Sequence, residues 1–174
     1  MKQFLLPLAS LSVLVAALGA CGADDGDGGT DAGSDGLASV ELTEDLGCGY
    51  GFAVSDKAER ALLSVHHNAG PGTIERTVSL PDPAWDAQVL VGTHLAANWC
   101  NDLIEEPQAE VDETWEIVEG TLEFVGEIPA TGDSPADQPV RAELTGVVAQ
   151  SPDGERVELG DLSLTNGAWG FFAG

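Results

Sequence analysis

Hydrophobic and polar residues alternate with a period of two along most of the chain after residue 38. Successive side chains of a β-strand point to opposite faces, so this alternation predicts strands that each bury one face. The alternation is present in residues 40–42, 50–54, 74–80, 115–124, 140–148 and 157–164. Residues 89–95 form a more continuous apolar run, which predicts a central strand that is covered on both faces.

Turn-forming residues separate these runs, for example Pro81-Asp82-Pro83 and Ser151-Pro152-Asp153-Gly154. Seven or more short strands at such a spacing predict an all-β fold, either an antiparallel β-sandwich or a partly open barrel. In the longest run the apolar positions change from odd to even near Glu119-Gly120. A glycine at that point predicts a β-bulge, which inserts one extra residue into a strand.

Residues 56–66 fit two kinds of structure. Asp56 and Glu59 have the spacing of a helix capping box, and a helical spacing relates Ala58, Ala61, Leu62 and Val65. Residues 63–67 fit a strand equally well, and we favour the strand.

A different pattern precedes the strands. Met1-Lys2-Gln3 carries one positive side chain, and residues 4–18 are almost entirely apolar but too few to span a bilayer comfortably, since a spanning helix needs about 20 residues. Small residues and Cys21 follow, an order that is typical of an export signal. Cleavage after Ala20 with Cys21 left as a free thiol is one interpretation of this pattern.

The segment Leu18-Gly19-Ala20-Cys21 resembles the lipobox of bacterial lipoproteins, in which an aliphatic residue and two small residues precede a cysteine. The resemblance implies that residues 1–20 are a signal peptide and that Cys21 carries a diacylglyceryl thioether and usually an N-acyl chain such as palmitate. It also implies a lipid-anchored protein of the cell envelope. Aspartate after the cysteine favours the inner membrane in enterobacterial members, so Gly22 favours the outer membrane.

Residues 22–36 contain only glycine, alanine, aspartate, serine and threonine. Such a segment has no large apolar side chain to bury and should remain disordered. The sequence therefore predicts a lipidated cysteine and an acidic, glycine-rich linker over residues 21–37. Residues 38–174 have the length of a single β-sandwich domain.

The charge of this domain narrows the range of partners. Residues 38–174 include five basic and 25 acidic residues, which gives a formal charge of −20. Nucleic-acid binding needs lysine and arginine side chains to neutralise phosphates, so we expect no nucleic-acid partner. We expect membrane contact through the lipid anchor alone, with an envelope protein or a glycan as the partner of the domain.

Cys48 and Cys100 are the two cysteines that remain once Cys21 is lipidated. An even pair in an exported protein predicts a disulfide, and closing a loop of this length should stabilise the fold by roughly 4 kcal/mol. Gly47-Cys48-Gly49-Tyr50-Gly51 lacks the strand–loop–helix setting of a phosphate-binding loop. We interpret its glycines as sites of close packing around the disulfide.

The three histidines are weak candidates for a metal site. His66 and His67 should face opposite sides of a strand, so at most one of them could join His94 and a carboxylate around a metal. We expect no cofactor, although calcium is a hypothesis because it prefers several oxygen ligands. The acidic residues that could bind it lie around Asp133 and Asp137 or in the run Glu105, Glu106, Glu110, Asp112, Glu113, Glu116, Glu119, Glu123 and Glu127.

Catalytic motifs do not stand out from this sequence. No serine lies in a Gly-x-Ser-x-Gly motif, and abundant carboxylates make a catalytic pair easy to imagine without supporting one. Trp85 lies in the turn that begins at Pro81, which makes it the tryptophan with the greatest expected exposure and a weak candidate for ligand binding. We expect a binding or structural module and not an enzyme. The alternatives are a metal-dependent hydrolase and a calcium-stabilised adhesion module.

Overall fold

Eight antiparallel strands make up most of the chain that the computed structural model describes, which is residues 37–68, 74–101, 106–128 and 139–170. The strands are β1 (Leu42–Asp45), β2 (Gly51–Asp56), β3 (Ala61–His67), β4 (Thr77–Leu80), β5 (Trp85–Thr93), β6 (Glu110–Val125), β7 (Val140–Gln150) and β8 (Arg156–Asn166). One turn of 3-10 helix, Leu37–Ser39, precedes β1, and the described residues contain no α-helix. The all-β prediction is confirmed.

The strands form one sheet that is nearly closed into a barrel. Their order is β1-β2-β3-β5-β6-β7-β8, and β4 pairs separately with β6. The chain after β8 returns to the start of β2, where Gly49 and Trp169 form a parallel bridge and the Gly170 amide donates to the Gly49 carbonyl at 2.8 Å. Of the two architectures that the sequence left open, the barrel is therefore the one observed.

The longest strand, β6, contains the predicted irregularity. Its register against β7 shifts between Ile117 and Glu119 and again between Glu119 and Thr121. The residues before these shifts pair with β5, and Gly120 and the residues after it pair with β4. At the bulge, the pairing of β6 thus changes from β5 to β4. The prediction of a bulge near Glu119-Gly120 is confirmed.

The segment 56–66, which fitted both a helix and a strand, consists of the turn between β2 and β3 followed by most of β3. Asp56 ends β2, and its Oδ1 accepts hydrogen bonds from the Arg60 amide at 2.5 Å and the Ala61 amide at 2.9 Å. Its Oδ2 accepts from the Ala58 amide at 3.2 Å. Asp56 therefore caps the β2–β3 turn in the way that it would cap a helix, and the preference for a strand is confirmed.

The interior of the barrel contains buried side chains from β2 to β8, together with Leu37, Tyr50 and Trp169, and the partly buried Leu42 of β1 packs against them. Phe124 lies among three aromatic rings, with centroid distances of 5.7 Å to Phe52, 5.9 Å to Trp85 and 5.7 Å to Trp169. Leu37, which the sequence placed in the linker, is buried in this core. Among the described residues, the core therefore includes one residue that precedes the predicted domain boundary.

Trp85 also belongs to this core, so the expectation that it is the most exposed tryptophan is wrong. It is the first residue of β5 and is 6% exposed, with its ring 5.0 Å from that of His67. The turn ends where the Trp85 amide donates to the Asp82 carbonyl at 3.0 Å, and the strand begins with the indole on the inner face. Trp99 is the least buried of the four tryptophans.

Candidate functional site

A second, smaller hydrophobic cluster lies on the outside of β2, β3 and β5. Successive side chains of a strand point to opposite faces. Phe52 and Leu63 therefore point into the barrel, and their neighbours Ala53 and Leu62 lie on the outer face. These two residues and Leu95 are buried, and the partly buried residues packed against them are Leu46, Leu90 and Trp99. The central strand β5 is therefore covered on both faces, as its continuous apolar sequence predicts.

The cluster is covered by residues 94–101, which follow β5 and which we call the disulfide loop. Three successive turns shape it, closed by hydrogen bonds from the amides of Ala97, Trp99 and Asn101 to the carbonyls three residues before each. The Leu95 amide donates to the Glu59 carbonyl at 3.0 Å and ties the loop to the β2–β3 hairpin. The loop is thus held by main-chain hydrogen bonds at one end and within its turns.

Three non-glycine residues of the disulfide loop have left-handed backbone conformations: His94, Asn98 and Cys100, with φ of 53°, 57° and 56°. This conformation costs an L-residue on the order of 1–2 kcal/mol, although asparagine tolerates it better. Packing and covalent links must offset that cost. The disulfide loop is therefore a segment whose shape depends on what fixes its ends.

The far end of the loop is fixed by the disulfide between Cys48 and Cys100, whose Cα atoms are 5.6 Å apart. The bond joins residues 52 positions apart in the sequence and connects the loop to the chain just before β2. The predicted disulfide is confirmed.

The glycines around Cys48 lie against other parts of the chain. A Cβ atom on Gly47 would lie 2.5 Å from the Asn166 backbone, and one on Gly51 would lie 2.6 Å from the His66 ring. Asn166 is fully buried and donates to the carbonyls of Gly49 and Gly51 at 3.1 and 2.5 Å. Close packing near the disulfide is therefore observed, as predicted for this glycine-rich segment.

A cavity of about 310 Å³ lies between the disulfide loop and the outer face of the sheet. Its lining is mainly apolar and includes both half-cystines, His66, Leu90, Leu95 and Trp99. The indole Nε1 of Trp99 is buried and has no hydrogen-bond partner among the described residues. Since an indole N–H can only donate, this atom is a donor without an acceptor.

A second surface cavity, of about 370 Å³, lies at the seam between the 37–43 segment and β8. Its lining mixes polar and apolar residues, among them Glu41, Leu159 and Asp161. Here the edge strands β1 and β8 approach without pairing, and the Thr165 amide donates to Asp45 Oδ1 at 3.3 Å. This cavity follows from the incomplete closure of the barrel.

The three histidines lie in different environments. His66 is partly buried at the wall of the first cavity, whereas His67, 7% exposed, faces the barrel interior. His67 pairs with the first residue of β5, and His94 follows the last residue of that strand and is exposed. The structure thus does not place any two of these side chains on one face of one strand.

The acidic residues of β6 alternate with buried residues and mostly face solvent. Glu113 is partly buried and accepts from Trp115 Nε1 at 2.9 Å, and Glu119 forms an ion pair with Arg156. Among the described residues, no three His, Cys, Asp or Glu side chains lie close enough to hold a metal ion. Glu105, Asp133 and Asp137 lie outside the described residues, so calcium binding stays a hypothesis.

Two further predictions concern residues outside the described ranges. Lipidation of Cys21 and the linker over residues 22–36 lie there, and so do the signal-peptide residues. In the described part of the chain, no helix has the length and apolar character needed to cross a bilayer.

Comparison with known proteins identifies no relative of this chain. No protein-family model matches the sequence, and no curated protein or solved structure is significantly similar to it.

Sequence reasoning missed the cavity and the role of Asn166. Thr165-Asn166-Gly167 has the composition of a turn, and nothing in it shows that the side-chain amide of Asn166 reaches two carbonyls near β2. The signal for the cavity was the position of Trp99 directly before Cys100. A predicted disulfide at that cysteine requires the tryptophan to lie near residue 48.

Proposed function

We propose that this protein is a lipid-anchored module of the cell envelope whose barrel binds a partner or has a structural role there. The observation that carries the proposal is the segment Leu18-Gly19-Ala20-Cys21 at the end of an apolar run. In a lipoprotein, that cysteine receives the acyl chains that hold the protein to the membrane. A stable anchor needs two lipid chains or an equivalent second signal, which this modification supplies.

The Cys48–Cys100 disulfide supports an exported location for the domain. Disulfides persist in oxidising compartments such as the bacterial periplasm and the cell surface, and are rare in the cytosol. An export signal and a disulfide are independent features of the chain, and both favour the envelope.

The packing of the barrel indicates where a partner would bind. Aromatic and aliphatic side chains fill the interior, with Phe124 at the centre of an aromatic group. A ligand inside the barrel would have to displace these side chains. We therefore expect binding at the outer surface, and an anionic surface of this strength favours uncharged or cationic partners over anionic ones.

Metabolic labelling of the full-length chain in a bacterial host tests the anchor directly. With an alkyne analogue of palmitate, we expect label on the protein and none on the Cys21→Ala variant. Gly22→Asp is the matched control, since it keeps the cysteine and should keep the label. If the host follows the enterobacterial sorting rule, Gly22→Asp should also move the protein to the inner-membrane fraction.

Two results would contradict this proposal. One is label that persists in Cys21→Ala, which would place the acyl chains elsewhere. The other is an unlabelled protein whose mature N-terminus, measured by mass spectrometry, is an unmodified Cys21. That result would identify an ordinary secreted protein.

A further inference from the structure

We propose that Asn166-Gly167 is a covalent modification site: Asn166 deamidates when the barrel opens, and the product cannot close the barrel again. The proposal goes beyond the envelope function and does not depend on lipidation of Cys21. It rests on the contacts that hold the Asn166 side chain, on the glycine that follows it, and on the position of both residues where the barrel closes.

The dipeptide contains both reacting groups. In an open chain, the Gly167 nitrogen bonds to Cγ of Asn166, the Cγ–Nδ2 bond breaks, and ammonia leaves with the proton of the Gly167 amide. Water then opens the cyclic imide and leaves aspartate or isoaspartate at this position. The reaction consumes one water molecule and releases one ammonia, so it needs no redox partner, and asparagine is accordingly a thermolabile residue.

The neighbour of Asn166 distinguishes it from the other asparagines of the chain. Glycine has no side chain to hinder attack by its own nitrogen, and Asn166 is the asparagine that glycine follows. The others, Asn68, Asn98 and Asn101, precede alanine, tryptophan and aspartate. Those three residues therefore serve as internal standards for the reaction in an unfolded chain.

In the closed barrel, hydrogen bonds hold the leaving group of Asn166 in place. Its Nδ2 donates to the carbonyls of Gly49 and Gly51 at 3.1 and 2.5 Å. Its Oδ1 accepts from the Ala168 amide at 2.7 Å. Release of ammonia would break both bonds of Nδ2, so the folded chain opposes the reaction.

The reacting carbon of Asn166 is also covered. Asn166 is fully buried, and a Cβ atom on Gly47 would lie 2.6 Å from Cγ of Asn166. The main chain at Gly47 therefore packs directly against the carbon that has to be attacked. Water reaches that carbon only after the segment that contains Asn166 has moved away from the start of β2.

The products of deamidation do not fit the closed barrel. An ionised aspartate can only accept hydrogen bonds, and here it would face the carbonyl oxygens of Gly49 and Gly51, which also only accept. A buried charge without a donor is strongly unfavourable. Isoaspartate also adds a carbon to the main chain, which would displace Trp169 from its bridge to Gly49.

Opening of the barrel therefore becomes irreversible with time. A chain that closes again quickly keeps its amide, whereas a chain that stays open is converted to a form that cannot close. Chemical modification of the unfolded state is a general cause of irreversible unfolding. In this protein the structure assigns that role to one dipeptide, Asn166-Gly167.

Peptide mass spectrometry tests the proposal on the full-length chain. The protein is incubated in detergent micelles and mildly alkaline buffer, with and without urea, and with its disulfide intact. In urea, Asn166 should deamidate faster than Asn68, Asn98 and Asn101. Without urea, it should react at least about 100-fold more slowly, because its hydrogen bonds must first break.

Gly167→Ala separates the chemistry from the fold. A Cβ atom at Gly167 would have no atom of the described chain within 4 Å, so this variant should fold normally. Its methyl group hinders ring closure, so Asn166 should deamidate more slowly in urea. After removal of urea, the near-UV circular dichroism of the wild-type protein should recover less as incubation lengthens, whereas that of Gly167→Ala should recover almost fully.

Two further variants test the effect of the product. Asn166→Asp should lower the folding equilibrium constant by at least about 100-fold, measured by urea denaturation. Asn166→Ala removes the same donors without adding a charge and should lower it less. The difference between the two variants should narrow in acid, since a protonated carboxyl can donate a hydrogen bond.

Three results would overturn the proposal. The first is equal deamidation of Asn166 with and without urea, and the second is an Asn166 that reacts no faster than Asn68 in urea. The third is an equal loss of refolding in the wild-type protein and in Gly167→Ala. Wild-type stability of Asn166→Asp would also overturn it, and if that variant does not fold, the comparison with Gly167→Ala decides the matter.

Discussion

The inside of the barrel and the outer face of β2, β3 and β5 are both hydrophobic, but they are built differently. The interior draws on distant parts of the chain and contains the largest buried side chains, including Trp115, Trp169 and Phe124. The outer cluster has three buried residues, of which Ala53 and Leu62 lie on the sheet and Leu95 belongs to the loop that the disulfide holds. The interior is filled, whereas the outer cluster leaves a cavity beside Trp99.

Because of this difference, the interior should provide most of the stability, and the outer cluster is the region with a cavity at the surface. Close packing in the interior gains dispersion contacts, and a ligand there would have to displace buried side chains such as Phe124. The outer cluster buries less surface and relies on a covalent link and a few hydrogen bonds to keep its shape. Substitutions in the interior should therefore cause the larger losses of stability, whereas substitutions in the outer cluster should mainly change the shape of the disulfide loop.

The largest effect should come from Phe124→Ala. Phe124 is fully buried among Phe52, Trp85 and Trp169, so truncation leaves a large void and should lower the free energy of unfolding by about 3–5 kcal/mol. Urea denaturation would measure this change. The matched control is Val125→Ala, because the neighbouring Val125 is 48% exposed and its truncation should change stability by less than about 0.5 kcal/mol. Equal losses would show that burial of Phe124 in the interior contributes no more to stability than an exposed side chain does.

Removal of the disulfide should have the next largest effect. Cys48→Ala combined with Cys100→Ala opens a loop that joins residues 52 positions apart, and should lower stability toward the upper end of about 2–4 kcal/mol. Because the left-handed residues His94 and Asn98 then lose a constraint, hydrogen exchange at the Ala97 amide, which donates to the His94 carbonyl, should also rise. Unchanged exchange at the Ala97 amide would show that the loop keeps its shape without the disulfide.

Asp56→Ala should have an intermediate effect on stability. Asp56 is buried and accepts hydrogen bonds from three amides of the hairpin, and its loss should lower the free energy of unfolding by about 2–3 kcal/mol. Asp56→Asn keeps an oxygen acceptor and should lose less. Hydrogen exchange at the Leu95 amide, which donates to Glu59 in the same hairpin, should rise in Asp56→Ala. Equal stability of the two variants would contradict this account of the turn.

The smallest effect should come from Arg156→Ala. Arg156 forms an ion pair with Glu119 on the outer surface, and both side chains are mostly exposed. Exposed pairs contribute about 0.2–1 kcal/mol, and less at high salt. Thermal melts at low and high salt should therefore differ little between the wild-type protein and the variant. A loss as large as that of Asp56→Ala would show that this surface is more important for stability than its exposure indicates.

Much of the fold follows from patterns within single segments. Alternation identifies strands, glycine at position 120 identifies the bulge, and Cys48 and Cys100 identify the disulfide, because each depends on local geometry or on pairing chemistry. Closure into a barrel depends on Asn166 and Trp169 reaching the start of β2, which is a long-range contact. No periodicity within one strand encodes such a contact.

The candidate site was less predictable than the fold. Trp85 lies in a sequence rich in proline and aspartate, which indicated exposure, but it begins a strand whose inner face is the core. Trp99 lies in a loop, and its position over the outer face follows from the disulfide and from hydrogen bonds that span the hairpin. A cavity is the space that packing leaves between segments, so it becomes visible only when those segments are placed together.

Hydrogen exchange at the indole N–H groups would test most directly the claim that a closed interior and an accessible outer cluster coexist. Trp169 should exchange through global unfolding, with a free energy close to that from urea denaturation. Trp99 should exchange much faster, through local opening of the disulfide loop, although neither indole has a hydrogen-bond partner among the described residues. Equal exchange rates for Trp99 and Trp169, or faster exchange at Trp169, would contradict the distinction between the two regions.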